Sequence, residues 1–334
     1  MADRSDALNP MRVGGQAVIE GVMMRAPGMV ATAVRRSSGS IEIKREPYHS
    51  YSERYAFLRW PVIRGAVSLL EMMVIGIRTL NFSADVAMRD AADTHDPDAG
   101  ETADLAGSKK KQNLVLWLTV ALAFVLAMAL FFALPLVITS AFHGIRQEPL
   151  IFNLIAGGIR VTILLTYLGL ISRSKEIRRL FQYHGAEHKA VFTYERSLPL
   201  TVESASTQSR FHPRCGTSFL LIVLLAAVMF FAILDALMIA LTGPVTVATR
   251  LCTHLPLVTL VGGISYEFIR FSAKHAQSGL GRALVAPGLW LQRITTQEPD
   301  TSQLEVALEA LRSALGMDSV RSDVPAFVEA TTTG

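Results

Sequence analysis

Two imidazoles and a carboxylate lie close together in the segment Tyr183–Lys189. His184, Glu187 and His188 follow the spacing i, i+3 and i+4, so on a helix all three side chains project from one face. His184 and His188 could then bind one metal ion while Glu187 handles a proton beside it, as in the H-x-x-E-H zinc signature. The spacing predicts a divalent metal site, with zinc as the expected ion and Glu187 as the catalytic base.

The apolar residues around this segment predict which way the histidines face. Ile177, Phe181 and Val191 share the helical spacing of the two histidines. Such a face should turn toward the membrane or the protein interior, where partial desolvation strengthens metal–ligand bonds. The alternative is that the two histidines make ordinary hydrogen bonds or are solvated.

A second group of candidate ligands lies some thirty residues further along the chain. His212 and Cys215 are three residues apart, which is a plausible half-site for zinc. Pro213 and Gly216 favour the tight turn that would bring the two side chains together. The alternative is a loop in which the His and the Cys cap the following helix.

Four apolar runs could carry these residues across or along a membrane. Leu114–Ile138 has no charged residue and is long enough to cross a hydrocarbon core of about 30 Å. Leu150–Ser172 and Ser218–Leu241 hold one charge each, and Leu255–Ile269 is shorter. The predicted fold class is mainly α: a polytopic membrane helix bundle of about four spans, with a small N-terminal β-meander and cytoplasmic helices.

Lysines and arginines in the short loops predict the orientation of these spans. The connection between the second and third runs is rich in them, whereas the other two connections hold only Arg146 and Arg250. The bias predicts a multi-pass protein of the cell (inner or plasma) membrane with both termini and the His-rich loop in the cytoplasm. The basic residues of that loop are Arg173, Lys175, Arg178, Arg179, Lys189, Arg196, Arg210 and Arg214.

This orientation places a third candidate ligand, Glu267, at the cytoplasmic end of the fourth run, on the same side as the histidines. The alternative for Glu267 is pairing with Arg270 at the interface. Glu195, seven residues after His188, is the fallback carboxylate. Cys215 and Cys252 fall on opposite sides, so no disulfide between them is expected. Basic residues are usual in cytoplasmic loops, so membrane lipid is the expected partner and nucleic acid is not.

The N-terminal part reads as a β-rich unit followed by an interfacial helix. Short alternating or β-branched runs predict strands at Ala17–Met24, Met29–Arg36 and Ser40–Glu46. Pro61–Ala84 is apolar apart from a narrow polar stripe, which predicts a helix in the membrane interface or packed on the spans. Two charged residues lie inside spans, Arg160 and Asp235, and the simplest interpretation is that they pair.

Composition divides the whole chain into five segments. They are a β-rich unit with the interfacial helix (11–90), a disordered acidic linker (91–112), a four-span membrane domain with the His-rich loop 173–217 (113–270), a C-terminal cytoplasmic segment (271–317) and a tail (318–334).

Three motif stretches carry a resemblance to a known family. They are Gly14–Arg25, the turn His212–Ser218 and the run Ala286–Gln292, together with the His-rich loop. On these stretches the chain resembles the YqhQ-like family of uncharacterised bacterial membrane proteins over roughly Arg12 to Leu311. The resemblance implies a metal-dependent membrane enzyme and names no substrate. The His-rich loop with a distant glutamate also resembles the inverted zinc peptidases, which would make His184, His188 and Glu267 ligands and Glu187 the base.

The expected function is therefore a metal-dependent hydrolase at the cytoplasmic face, acting on a peptide or a lipid-linked substrate. Two alternatives stay open. The first is a non-enzymatic scaffold or assembly factor with a structural metal site, and the second is a transporter that uses Arg160 and Asp235. The sequence leaves the substrate and the oligomeric state open.

Overall fold

The computed structural model describes residues 13–93, 118–119, 121–274 and 278–317. Most of the predicted acidic linker and its lysine anchor lie outside the described residues, as do the tail 318–334 and both ends of the chain. Within the described part, a small sheet and four apolar helices account for most of the architecture.

Four strands form an antiparallel meander in the order β1 (Gly14–Val18), β2 (Gly21–Ala26), β3 (Met29–Arg35) and β4 (Ile41–Pro47). The first predicted strand is in fact two, because the chain reverses between Val18 and Gly21, which face each other across the ladder. Glu20 takes a positive φ of 52° in this turn. Residues other than Gly, Asn or Asp seldom adopt that conformation, so a hairpin at this position could not be predicted from residue types.

The β-meander packs on helices through both faces. Val22 and Met24 face a core formed with the His-rich helix α5 (Lys175–Glu195) and the C-terminal helix α10 (Thr301–Ala314). Val18 and Val34 face Val86 of the long helix α2 (Ile63–Asp93) on the other side. A meander of this size needs such a partner, because its own strands bury too little apolar surface to be stable alone.

A short helix α1 (Tyr51–Arg54) and a 3-10 turn (Ala56–Arg59) connect the sheet to α2. The carboxylate of Glu71 on α2 is buried, yet it accepts hydrogen bonds from Tyr48, Ser50 and the Tyr51 N–H. These bonds tie the end of the sheet to the first half of α2.

Four helices are long and apolar enough to cross a membrane, which confirms the predicted span count within the described residues. They are α3 (Ala121–Ser140), α4 (Pro149–Ile171), the helix over Phe219–Thr242 and the helix over Val247–Phe271. The third span belongs to α7 (Gly216–Thr242) and the fourth to α8 (Val247–Lys274), while α6 (Val202–Ser206) and α9 (Gly279–Thr295) lie outside the spans. This is a mainly α membrane protein.

The long helix α2 packs against the fourth span. A Cβ on Gly65 would lie 2.8 Å from the carbonyl oxygen of Gly263, so only glycines allow the two backbones to approach this closely. The glycine pair Gly262-Gly263 therefore does not interrupt α8, which is continuous through it. The pair marks the contact with α2. Helix α2 starts two residues after Pro61 and ends nine residues after Ala84, the predicted end.

The two charges inside the spans do not pair with each other. Asp235 accepts hydrogen bonds from Arg250 Nε at 2.9 Å and Asn153 Nδ2 at 2.8 Å, and its other oxygen lies 3.0 Å from His254 Nε2. Arg160 instead lies over the ring of Phe132, 5.2 Å from its centroid. The expected Arg160–Asp235 pair is wrong, because Arg250 and His254 at the start of α8 reach the carboxylate first.

Candidate metal centre

Helix α5 places His184 and His188 side by side. Their ring centroids are 4.5 Å apart, as expected for residues four apart on one helical face. The neighbouring face of α5 packs into the sheet core through Tyr183, Ala186 and Ala190. The histidine pair is thus held on a helix whose rotation is fixed by the sheet.

Cys215 reaches the pair from the start of the third span. It is the N-cap residue of α7, and its Sγ accepts from Thr217 N at 3.4 Å. The same sulfur lies 3.2 Å from His184 Nε2. One donor atom each from His184, His188 and Cys215 lie within 4.8 Å of one another, which makes these three residues a candidate metal-binding group.

The orientation of both rings is fixed by backbone carbonyls. His184 Nδ1 lies 2.8 Å from the carbonyl oxygen of Thr295, and His188 Nδ1 lies 2.5 Å from that of Arg210. A carbonyl oxygen can only accept, so each Nδ1 must carry the proton, and each neutral ring keeps a lone pair on Nε2. Metal-binding histidines in proteins are commonly oriented by such a second hydrogen bond.

The three side chains of this group have few protons to donate in hydrogen bonds to one another. Two Nε2 lone pairs and one sulfur meet in a region where His188 is 2% exposed and Cys215 is 7% exposed. A thiol has one proton and can satisfy only one of the two imidazoles. A cation that binds both nitrogens and the thiolate would satisfy all three groups at once, and zinc accepts this set of ligands.

Glu187 lies beside the group and is itself 5% exposed. Its Oε2 is 3.5 Å from His188 Nε2. Burial raises the pKa of Glu187 above its ordinary value, and the nearby His184 and His212 together with a hydrogen bond from the Gly15 N–H offset part of this rise. A raised pKa makes the carboxyl group a better proton acceptor than an exposed glutamate.

His212 adjoins the group and serves a different purpose from the expected one. Its Nδ1 accepts from the Arg214 N–H at 3.2 Å, and its Nε2 lies 3.3 Å from Glu195 Oε2. Both ring nitrogens are therefore engaged. Burial lowers the pKa of His212, which favours the neutral ring. Glu195, the fallback carboxylate, binds His212 and forms an ion pair with Arg214.

Glu267 is placed elsewhere by the structure. Its Oε1 accepts from Arg64 Nε at 2.6 Å, and its Oε2 accepts from the same guanidinium. The hydrogen-bond partner is therefore Arg64 of α2 and not Arg270, the alternative partner, and Glu267 is not among the residues brought together with the two histidines. Both of its carboxylate oxygens are held in the contact between α2 and α8.

Several residues that shape the group were not expected from the sequence. Gln292 of α9 donates to the His212 carbonyl and accepts from its N–H, both at 2.8 Å, and so fixes the loop before Cys215. Gln292 ends one of the three motif stretches, which was a usable signal. Thr295 and Arg210 act through their main-chain carbonyl oxygens. Every residue has such an oxygen, so the residue types could not identify these two acceptors.

Comparison with known proteins gives a family and no activity. The family model described as "Protein of unknown function (DUF1385)" matches residues 60–317. The uncharacterized protein YqhQ of Bacillus subtilis (strain 168) is 33% identical over 317 residues, which cover 93% of this chain and 94% of that protein. No solved structure matches the chain. The matches confirm the resemblance that the motif stretches indicated.

Proposed function

This chain belongs to the DUF1385 family of proteins of unknown function, and we propose that it is a membrane-embedded hydrolase whose His184, His188 and Cys215 bind zinc. The observation that carries the proposal is the pair of Nδ1 hydrogen bonds to the carbonyls of Thr295 and Arg210. These bonds direct two Nε2 lone pairs toward one thiol. Within these three side chains the single thiol proton can satisfy only one of the two lone pairs, whereas a zinc ion would use both.

Three protein ligands favour a catalytic site over a closed structural one. Structural zinc sites are almost always surrounded by four protein ligands, whereas catalytic sites hold three and keep one position for water or substrate. His212 is unsuited as a fourth ligand, because both its nitrogens already have partners. A zinc ion bound here would polarise a water molecule or a carbonyl oxygen of the substrate.

Glu187 is the group that would handle the proton. It lies next to the ligand nitrogen of His188, and burial raises its pKa, which favours uptake of a proton that it would pass on to a leaving group. The Gly15 N–H holds the carboxylate in place. The H-x-x-E-H spacing predicts the same roles for the two histidines and for Glu187, and the turn His212–Cys215 is the source of the Cys ligand.

The position of the group in the chain supports a substrate found at the membrane surface. Cys215 lies four residues before the third span, and the loop that carries both histidines is rich in Lys and Arg. By the positive-inside rule this end of the bundle faces the cytoplasm. The proposed substrates are a membrane-associated peptide or a lipid-linked ester or amide.

The burial of the group favours a second candidate, a structural metal site in a scaffold or assembly protein. Glu187 Oε2 is 3.5 Å from His188 Nε2, which is close enough for the carboxylate to become a fourth ligand after a small movement. In that case no position would be left for water, and the metal would only hold α5 against the start of α7.

Metal analysis of the purified full chain tests the metal site first. We expect stoichiometric zinc in the wild type and its loss in His184→Gln, His188→Gln and Cys215→Ala. His212→Gln is the matched control, since this adjacent histidine is engaged elsewhere, and it should keep the metal. A wild type without bound zinc, or a Cys215→Ala variant that retains it, would remove the proposal.

Cobalt substitution then separates the two candidates. A Co²⁺-loaded site with a cysteine ligand has a sulfur-to-metal charge-transfer band, and acetohydroxamate changes the ligand-field bands only if one position is open. For the hydrolase we expect this change, with Glu187→Gln keeping the metal but not hydrolysing membrane-anchored ester or peptide probes. A spectrum indifferent to acetohydroxamate, together with metal loss in Glu187→Gln, favours the structural site.

A further inference from the structure

The second span carries a buried guanidinium that the rest of the described chain does not use. Arg160 lies midway along α4 and is 6% exposed. Its Nε and Nη2 are buried and have no hydrogen-bond partner among the described residues. A charged group in the hydrocarbon region is costly unless it is paired, so such residues are rare and usually functional.

Asp235, the acid that was expected to pair with Arg160, already has other partners. Both oxygens of Asp235 are engaged by Arg250, Asn153 and His254, and Asp235 and Arg250 are 0% and 1% exposed. The other acid within the spans, Glu267, is paired with Arg64. Within the described spans, Arg160 is therefore left with a positive charge and two N–H donors that no carboxylate offsets.

The surroundings of Arg160 are apolar. The ring of Phe132 lies under its guanidinium, and Phe132 belongs to a buried cluster with Leu136, Phe152 and Ala156. Phe132 lies in a widened π-helical turn of the first span, Ala129–Ala133, just before Pro135. Proline cannot continue the regular hydrogen-bond ladder, and the wider turn lets Phe132 face inward. The guanidinium of Arg160 therefore lies among apolar side chains between the first two spans.

We propose that Arg160 binds the oxyanion group of an amphiphile, a carboxylate or a phosphate attached to an apolar tail, within the span bundle. The two N–H donors match two oxygens of one such group, which is the pairing that guanidinium groups favour. The tail would extend along exposed apolar side chains of the first span, such as Leu130 and Leu134. The site is independent of the metal centre, because Arg160 lies in α4 whereas the proposed zinc ligands belong to α5 and the start of α7.

Thermal unfolding of the full chain in a neutral maltoside detergent tests this. Decanoate and decyl phosphate distinguish the carboxylate and phosphate sources, decanol tests the tail alone, and inorganic phosphate tests the free anion. We expect a saturable rise in Tm with at least one anionic amphiphile and none with decanol. A response to decanol equal to that of the acids, or no saturable response to either acid, would overturn the proposal.

Variants locate the effect. Arg160→Gln should weaken the apparent affinity by about tenfold or more, since truncating one partner of a buried charge pair commonly costs at least this much. Arg173→Gln is the matched control, because Arg173 is an exposed arginine just beyond the end of the same helix. Arg160→Lys keeps the charge without the two-pronged geometry and should bind with intermediate affinity. Equal affinity in Arg160→Gln and Arg173→Gln contradicts the assignment.

Photo-crosslinking of the wild type gives an answer even if the Arg160 variants do not fold. A diazirine-bearing fatty acid should label peptides from Ala129–Ala133 and from the middle of α4, and an excess of decanoate should prevent this labelling. Labelling confined to other spans, or unaffected by decanoate, would show that the oxyanion does not bind at Arg160.

Discussion

The main chain of Gly15 holds Glu187 in place, because the Gly15 N–H donates a hydrogen bond to its carboxylate. The two residues are close enough that a Cβ on Gly15 would lie 3.1 Å from Glu187 Cγ. This contact joins the first strand of the sheet to the helix that carries both histidines. It helps to explain why position 15 of β1 is a glycine. Gly14 has open space around it, whereas at Gly15 a side chain would collide with the Met23 carbonyl oxygen.

The glycine pair gives the first prediction. Gly15→Ala should lower the free energy of unfolding by about 1–3 kcal/mol, because the extra methyl group must displace main-chain atoms of β2. It should also slow hydrolysis of membrane-anchored ester or peptide probes, since the proposed base Glu187 loses its support, while the zinc content stays unchanged. Gly14→Ala is the control and should be close to wild type in thermal unfolding and hydrolysis. Equal effects of the two substitutions would contradict the proposed contact.

Glu267 provides the second prediction. Glu267→Gln should leave the metal content unchanged, because the carboxylate binds Arg64 and not the histidine group. It should lower stability by about 1–3 kcal/mol, as expected when charge-assisted hydrogen bonds in a helix contact are weakened. Zinc analysis and thermal unfolding of the same preparation measure both effects. Metal loss in this variant would restore Glu267 as a ligand.

Tyr48 predicts a stability change at alkaline pH. Burial, and the hydrogen bond that Tyr48 donates to Glu71, raise the pKa of Tyr48 from 10.0 to about 12. Between these values the folded chain binds more protons than the unfolded chain, so the free energy of unfolding must fall as the pH rises. The contribution is complete below pH 10.0 and is lost as the pH passes about 12.

Tyr48→Phe removes this titrating group. Its Tm should therefore fall less steeply than that of the wild type over the same alkaline range. Tyr51→Phe is the control, because the Tyr51 side chain is 62% exposed and only its main-chain N–H contacts Glu71. Parallel Tm curves for the wild type and Tyr48→Phe would show that Tyr48 does not carry the effect.

The buried ion pair at the far end of the third span gives a fourth prediction. Asp235→Leu should destabilise the chain by about 3–5 kcal/mol, because it leaves the guanidinium of Arg250 buried without its carboxylate. The double variant Asp235→Leu/Arg250→Leu should be less destabilised than the sum of the single variants. A double-mutant cycle of thermal unfolding in detergent measures this coupling. Additive effects would mean that the two groups do not depend on each other.

Much of the fold could be predicted because length and apolarity decide it. Runs such as Leu150–Ser172 are too long and too apolar for most other uses, and the structure has a helix over Pro149–Ile171. The hairpin at Glu20 was missed because neither central residue of its turn, Ile19 or Glu20, is Gly or Pro. Helix packing was also not predictable: the contact at Gly263 depends on Gly65, which is far away in the sequence.

The candidate site divides along similar lines. His184 and His188 share a helix, so their spacing alone predicted their proximity. Cys215 was predicted from a local turn. The role of Glu267 was not predictable, because its partner Arg64 lies 203 residues earlier in the chain and many arginines were available. Which carboxylate meets which guanidinium depends on how the helices pack, and residue types do not encode that locally.

The hydrogen bond between His184 and the Thr295 carbonyl has a consequence for biosynthesis. Thr295 lies after the last of the four spans in the chain, so the acceptor that orients this ring is synthesised only after every span has been synthesised. Gly15, at the opposite end of the chain, must wait for α5 before it can contact Glu187. The group is therefore completed only after all four spans have been synthesised, and a chain that ends before Thr295 lacks the acceptor that orients His184.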